Sequence, residues 1–208
     1  MRITLFAAVA IIEVAAVALD WTALQWITKP LLAPLLLLHI YKKADKSLAA
    51  ALVLATLGDI ALLIPGTPAF LAGMGFFLGT QLCLLTAFLK RARPPLAAVL
   101  AYAVLWAGVN ALLWSRLGDL RVPVLVYSLA LTAMAAAATG VSRRTAAGGA
   151  LFLLSDLMIG AGAAGIELPA AGVLVMTTYA AALALIVTGS VPGPAHRLDS
   201  HEMSSPAR

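Results

Sequence analysis

Charge is scarce in this chain. Of its 208 residues, 14 are Lys or Arg and 9 are Asp or Glu, 11% in all, less than half the roughly 25% of an ordinary soluble domain. With 62% hydrophobic residues and a mean hydropathy of +1.01, a soluble globule is excluded, because it could not hide so much apolar surface. Intrinsic disorder is excluded for all but the C-terminal tail, since disordered segments are poor in apolar residues. Aromatic residues are also few, 7%, and the long Leu/Ala runs lack the dyad alternation of an outer-membrane barrel, so the apolar segments read as helices. The single cysteine, Cys83, lies inside an apolar run. That excludes an internal disulfide and a cysteine-based metal site. Of the three histidines, His39 falls at a helix end and His196 and His201 in the tail, and none has the His/Glu or His/Asp spacing of a zinc site. No P-loop, GxGxxG or GxSxG occurs, which removes support for nucleotide chemistry and for a serine-hydrolase elbow. No metal or cofactor is therefore expected. The net charge of +5 does not point to nucleic acid, because the basic residues sit in small clusters between apolar runs.

What is present is a succession of apolar runs broken by charge and by Pro/Gly punctuation. They predict an all-α, polytopic membrane bundle of about eight helices, near residues 3–20, 28–41, 47–64, 68–89, 95–114, 121–140, 145–165 and 169–189. The breaks include Lys42-Lys43-Ala44-Asp45-Lys46, Pro65-Gly66-Thr67-Pro68 and Lys90-Arg91-Ala92-Arg93-Pro94-Pro95. Arg2 and Ala16-Val17-Ala18 imitate a secretory signal, but Glu13 and the length of the run favour a first spanning helix. The positive-inside rule tests the parse. With the N-terminus inside, eleven of the fourteen basic residues fall on one side, leaving Lys29, Arg116 and Arg121 on the other. The expected organisation is one transmembrane domain over residues 1–189 and a disordered cytoplasmic tail over 190–208, both termini cytoplasmic, in the cell membrane. Glycines at 73, 75, 79, 148, 149, 160 and 162 are expected to allow close helix approach.

The few polar groups left inside the spans are informative. Glu13, Lys29, Asp59 and Asp156 lie in or at the edge of the first, second, third and seventh spans. A charge at the bilayer centre costs about 2.5–3.5 kcal/mol on insertion scales, so four unpaired ones would cost on the order of 10 kcal/mol. They must be paired, protonated or exposed to an internal cavity. The predicted topology places all four in the outer half of the membrane, with Lys29 at the outer start of its span and Asn110 and Tyr127 at similar depth. One polar site within the bundle is expected, although interhelical hydrogen bonding would account for the same residues. A faint echo between residues 51–60, ending Gly58-Asp59-Ile60, and 148–157, ending Ser155-Asp156-Leu157, is consistent with a parallel repeat of four helices.

An ordered set of short motifs carries a resemblance. Thr28-Lys29-Pro30-Leu31-Leu32, Leu57-Gly58-Asp59-Ile60-Ala61-Leu62-Leu63, Phe70-xx-Gly73-xxx-Phe77, Pro123-Val124-Leu125-Val126-Tyr127, Gly149-Ala150-Leu151-Phe152-xx-Ser155-Asp156 and Thr178-Tyr179 resemble the YhhN family, which includes the animal transmembrane lysoplasmalogenases. The resemblance covers Lys29 to Tyr179. It implies an eight-helix membrane hydrolase that cleaves the vinyl ether of lysoplasmalogens to a fatty aldehyde and a glycerophospho-alcohol, with Lys29, Asp59, Tyr127, Ser155, Asp156 and Tyr179 as the matching polar positions. Where the family usually carries Phe-xxx-His-xx-Tyr, this chain has Phe77-xxx-Gln81-xx-Leu84. Either that histidine carries protons, in which case this member is inactive or takes another substrate, or it orients helices and Gln81 replaces it.

Vinyl ether hydrolysis needs a proton delivered to the outer alkene carbon, an anion facing the oxocarbenium ion, and a positioned water. Asp59 and Asp156 are the expected acid/base pair, without assignment of which is the acid. Lys29, Tyr127, Ser155, Tyr179, Glu13 and Gln81 are the expected substrate-binding residues, and a membrane lysophospholipid the expected partner. Lys29 either keeps the two acids in different states or holds the substrate phosphate. Two alternatives stay open: a non-catalytic lipid-binding member of the family, and a small-solute or proton transporter in which the acids form a relay.

Overall fold

A computed structural model describes residues 2–41 and 45–190. Lys42, Lys43 and residues 191–208 of the expected disordered tail, with His196, Arg197, His201 and Arg208, lie outside the described residues, whereas Ser190 belongs to the last helix. Those described form eight helices and no strand: α1 (Arg2–Ala18), α2 (Thr22–Ile40), α3 (Lys46–Leu63), α4 (Thr67–Leu89), α5 (Leu96–Leu113), α6 (Arg121–Val141), α7 (Arg143–Ala163) and α8 (Ala171–Ser190). From α2 onward all seven are long and apolar enough to cross a membrane. The 17 residues of α1 rise only about 25 Å, at the short end for a span. Large apolar side chains face outward all around the bundle, including Ile11, Val53, Leu82, Leu112 and Val126. Lipid is the only solvent that accepts such a surface, and the chain is a multi-pass membrane protein.

Local chemistry sets the helix boundaries. Asp45 caps α3, its carboxylate accepting from the Leu48 amide at 2.8 Å, and Ser142 caps α7, its hydroxyl accepting from the Thr145 amide at 3.1 Å. Gly66, at φ +109°, makes the turn into α4, where Pro68 occupies the first turn. The second span departs from expectation: it begins at Thr22, not near residue 28, and Lys29 lies well inside it. Pro30 is the physical reason. It offers no N–H to the preceding turn, so Lys29–Leu31 tighten into a 3-10 turn between two α-helical segments.

Seven helices close a ring in the order α1, α2, α3, α4, α6, α7, α8 and back to α1, while α5 packs on the outside of α6. The ring interior holds Leu32, Leu36, Leu48, Leu52, Phe88, Met134, Leu183 and Ile186, all buried. Small residues bring α6, α7 and α8 together. A Cβ on Gly148 would stand 2.9 Å from the Ala182 carbonyl oxygen, and one on Gly149 would stand 3.2 Å from the Ala135 Cα. The other glycines divide. Gly73 and Gly79 face leucines closely, whereas Gly75, Gly160 and Gly162 meet nothing within 4 Å and take no part in close approach.

The alternating helices gather Arg2, Lys46, Lys90, Arg91, Arg93, Arg143 and Arg144 at one end of the bundle. There Arg91 makes an ion pair with Asp45 at 2.7 Å and donates to the Ser190 carbonyl at the close of α8, and Arg2 donates to the Leu38 carbonyl. The polar residues singled out above lie toward the opposite end.

Candidate functional site

Three aromatic rings build the base of the site. Phe77 of α4, Phe152 of α7 and Tyr179 of α8 meet edge to face, with centroids 5.5–6.2 Å apart. Phe77 lies this close to α3 because Gly58 has no side chain: a Cβ there would come within 2.7 Å of the ring. The next residue, Asp59, is 1% exposed, and its Oδ2 accepts a hydrogen bond of 2.7 Å from the Tyr179 hydroxyl. A second pair of the same kind stands across the site, where the Tyr127 hydroxyl of α6 donates to Oδ2 of Asp156 on α7. The two pairs are close enough for the Asp59 charge to be felt at Asp156 and the Asp156 charge at Tyr179.

Both pairs face one pocket, which also receives Lys29 from the 3-10 turn of α2. The empty space of the pocket, its open mouth and the adjoining solvent included, is about 1090 Å³. Beyond the acids its walls are mainly apolar, with Leu62, Met74, Leu131, Leu153 and Met176 from the ring and Leu105, Val109 and Leu113 from α5. Leu105, 45% exposed, stands at the rim. On the α5 side the Ser128 hydroxyl accepts from both the Trp106 indole and the Asn110 amide at 3.1 Å, fastening α5 to α6.

Of the residues expected from the sequence, Lys29, Asp59, Tyr127, Ser155, Asp156 and Tyr179 all line this pocket, as does Asn110. Ser155 is fully buried and its hydroxyl donates to the Val175 carbonyl at 3.1 Å, so it ties α7 to α8 and is not poised as a nucleophile. Glu13 and Gln81 are not among the lining residues. Glu13 is fully buried in α1, where its Oε2 accepts from Thr28, one residue before Lys29. Lys29 is near enough to influence both Glu13 and Asp59 electrostatically. Among the described residues the ion pair within contact distance is Arg91 with Asp45, so Lys29 lines the pocket without a contact ion pair, near but not touching the two carboxylates. Gln81 lies in α4 below the pocket, its amide approaching the Tyr127 hydroxyl. Sequence reasoning missed Thr28, Trp106 and Ser128. Ser128 follows Tyr127 directly, and comparison of its depth with that of Asn110 is the signal that would have found it. Among the described residues no three His, Cys, Asp or Glu side chains gather as a metal site requires.

Comparison with known proteins agrees with the motif pattern. The chain is 38% identical over 172 residues to proteins named lysoplasmalogenase from Mycobacterium bovis and Mycobacterium tuberculosis, covering 76% of this chain and 66% of each relative. It is 36% identical over 140 residues to lysoplasmalogenase TMEM86B of Sus scrofa, covering 67% of this chain and 61% of that protein. The chain thus spans about two thirds or less of the length of these relatives. No solved structure matches it. The YhhN family model matches residues 24–190, the stretch that contains every pocket-lining residue, and the chain belongs to the YhhN family.

Proposed function

We propose that the protein is a membrane hydrolase of lysoplasmalogens, cleaving the vinyl ether to a fatty aldehyde and a glycerophospho-alcohol. The observation that carries this reading is the pair of tyrosine-bound carboxylates, Asp59 and Asp156, facing one mainly apolar pocket beside a lysine without a contact ion pair. An enol ether is hydrolysed once a proton reaches the alkene carbon remote from oxygen; the positive charge then rests on the carbon bearing oxygen, and water adds there. Two buried acids serve both halves, one as proton donor and one as the anion facing the cation and taking the proton of the attacking water. Electrostatic interactions are stronger in a water-poor pocket than in bulk water. Lys29 is placed to receive the substrate phosphate, and the apolar walls suit a single hydrocarbon chain. Such a lipid carries its vinyl ether just below the headgroup, which supports the arrangement of lysine and acids at one level. We place the basic end of the bundle in the cytoplasm of a cell whose plasma membrane holds the protein.

The test is aldehyde release from lysoplasmalogen by the purified protein and by Asp59→Asn and Asp156→Asn. Each substitution is expected to lower kcat by about 10²–10⁴-fold, the range for loss of a general acid or base. Unchanged activity in both variants would sink the mechanism. Binding of the lipid without turnover by the wild type would leave a lipid-binding protein in its place.

A further inference from the structure

A second cavity adjoins the pocket of the acids on the side away from the basic end. Its walls include Ile64, Pro65 and Thr67 of the α3–α4 turn, and Leu120, which precedes α6. Leu62, Phe70, Ile159 and Ala163 line both cavities, so the two spaces meet along these side chains. The junction lies one turn beyond the acids. Leu62 follows Asp59 on α3 as Ile159 follows Asp156 on α7, each three residues later, and both helices run away from the basic end. The second cavity therefore begins about 5 Å outward of the carboxylates, one helical turn. The turn residues 64–67 are exposed, so the cavity reaches the surface at that end of the bundle, whereas the rim at Leu105 belongs to a helix whose outer face meets lipid.

A lysophospholipid has ends of opposite chemistry. Its charged headgroup is costly to bury in hydrocarbon, so it cannot follow the chain through a lipid-facing rim and must stay at the water-facing end. With the vinyl ether beside the acids and the phosphate at Lys29, the part of the lipid left to extend outward is the alcohol esterified to that phosphate. We propose that the second cavity is the subsite for this alcohol, separate from the apolar walls that take the hydrocarbon chain. The inference rests on the hydrolase reading above. Among the described lining residues Thr67 carries the one polar side chain and none is charged, so the subsite fits its occupant by size and leaves the headgroup its water. After cleavage the glycerophospho-alcohol returns to water through the same cavity, and the apolar aldehyde leaves into lipid on the α5 side.

The test narrows the cavity at Leu120 and Thr67, which line it but not the pocket of the acids. Leu120→Trp and Thr67→Trp are compared with wild type on alkenyl-glycerophosphocholine and on alkenyl-glycerophosphate, which lacks the alcohol. In each variant the KM for the first substrate is expected to rise about five- to fifty-fold relative to that for the second, the scale of overpacking against a bound group. Equal changes for the two substrates, or no change for either, overturn the proposal. Protection gives a readout without turnover. In a Cys83→Ala background, Leu120→Cys should react with a water-soluble thiol reagent in detergent. Saturating alkyl-glycerophosphocholine, a saturated ether and no substrate for hydrolysis, should slow that reaction severalfold, and alkyl-glycerophosphate should not. A thiol that does not react, or equal rates with the two lipids, overturns the subsite. If the wild type releases no aldehyde, the hydrolase reading fails by itself and protection still decides whether the cavity takes the headgroup.

Discussion

Tyr179 illustrates how much a single hydroxyl does at this site. Its proton is the hydrogen-bond partner that a carboxylate at 1% exposure has in a pocket of leucines and methionines. Tyr179→Phe keeps the ring against Phe77 and Phe152 while removing that donor. The expected result is a loss of about 1–3 kcal/mol of stability, the cost of leaving a buried acceptor unpaired, together with reduced turnover; thermal unfolding and aldehyde release measure the two. Lys29→Met should act differently, raising KM by tenfold or more, because the ammonium makes no contact ion pair among the described residues and is open to a phosphate. A wild-type KM in that variant would remove Lys29 from phosphate binding. Much of this was legible in the sequence: a charge in an apolar run is conspicuous, and Lys29, Asp59 and Asp156 stand out for that reason. The pairings were not legible. Tyr179 and Asp59 are 120 residues apart, and nothing local says which hydroxyl meets which acid. Glu13 was conspicuous too, but its partner Thr28 turns it away from the pocket.

Among the helices, α7 and α8 form a unit by surface fit. Gly148 lies against the backbone of Ala182 and Ile186, so Gly148→Leu places a branched side chain where backbone already stands. A destabilisation of about 1–3 kcal/mol is expected from overpacking, read as a lower melting temperature in detergent; an unchanged value would mean that the two helices separate freely. Gly160→Leu, by contrast, meets nothing within 4 Å but projects into the pocket, so it should spare stability and obstruct long-chain substrates. Helix number and most boundaries could be read from the breaks, because Pro, Gly and charge clusters are expelled from lipid. The second span was read too short because Thr22, Gln25, Thr28 and Lys29 dilute its first half. That half is helical through its contacts with α1, which hydropathy does not register. The echo between α3 and α7 has a structural counterpart, since Asp59 and Asp156 occupy the same position relative to the helix starts at Lys46 and Arg143, each accepting from a tyrosine of another helix.

At the level of the whole molecule, the closure of α8 onto α1 joins the two ends of the described chain and was invisible in the sequence, where adjacency alone suggests a string. The proposed orientation of the ring rests on its basic end. Replacement of Cys83 by alanine gives a background in which cysteines introduced at Arg93 and Arg116 report opposite faces. A membrane-impermeant thiol reagent added to intact cells should label the second and not the first, and the reverse pattern would invert the proposed topology.

The rim at Leu105 has a kinetic consequence. A pocket bounded by a helix whose outer face lies in lipid, with only Asn110 and Leu113 of α5 buried, meets its ligand by diffusion within a sheet and not through a volume. Saturation then follows the mole fraction of substrate among the surrounding lipids. Adding inert detergent or phospholipid should slow the reaction even when the bulk concentrations of protein and substrate are held constant.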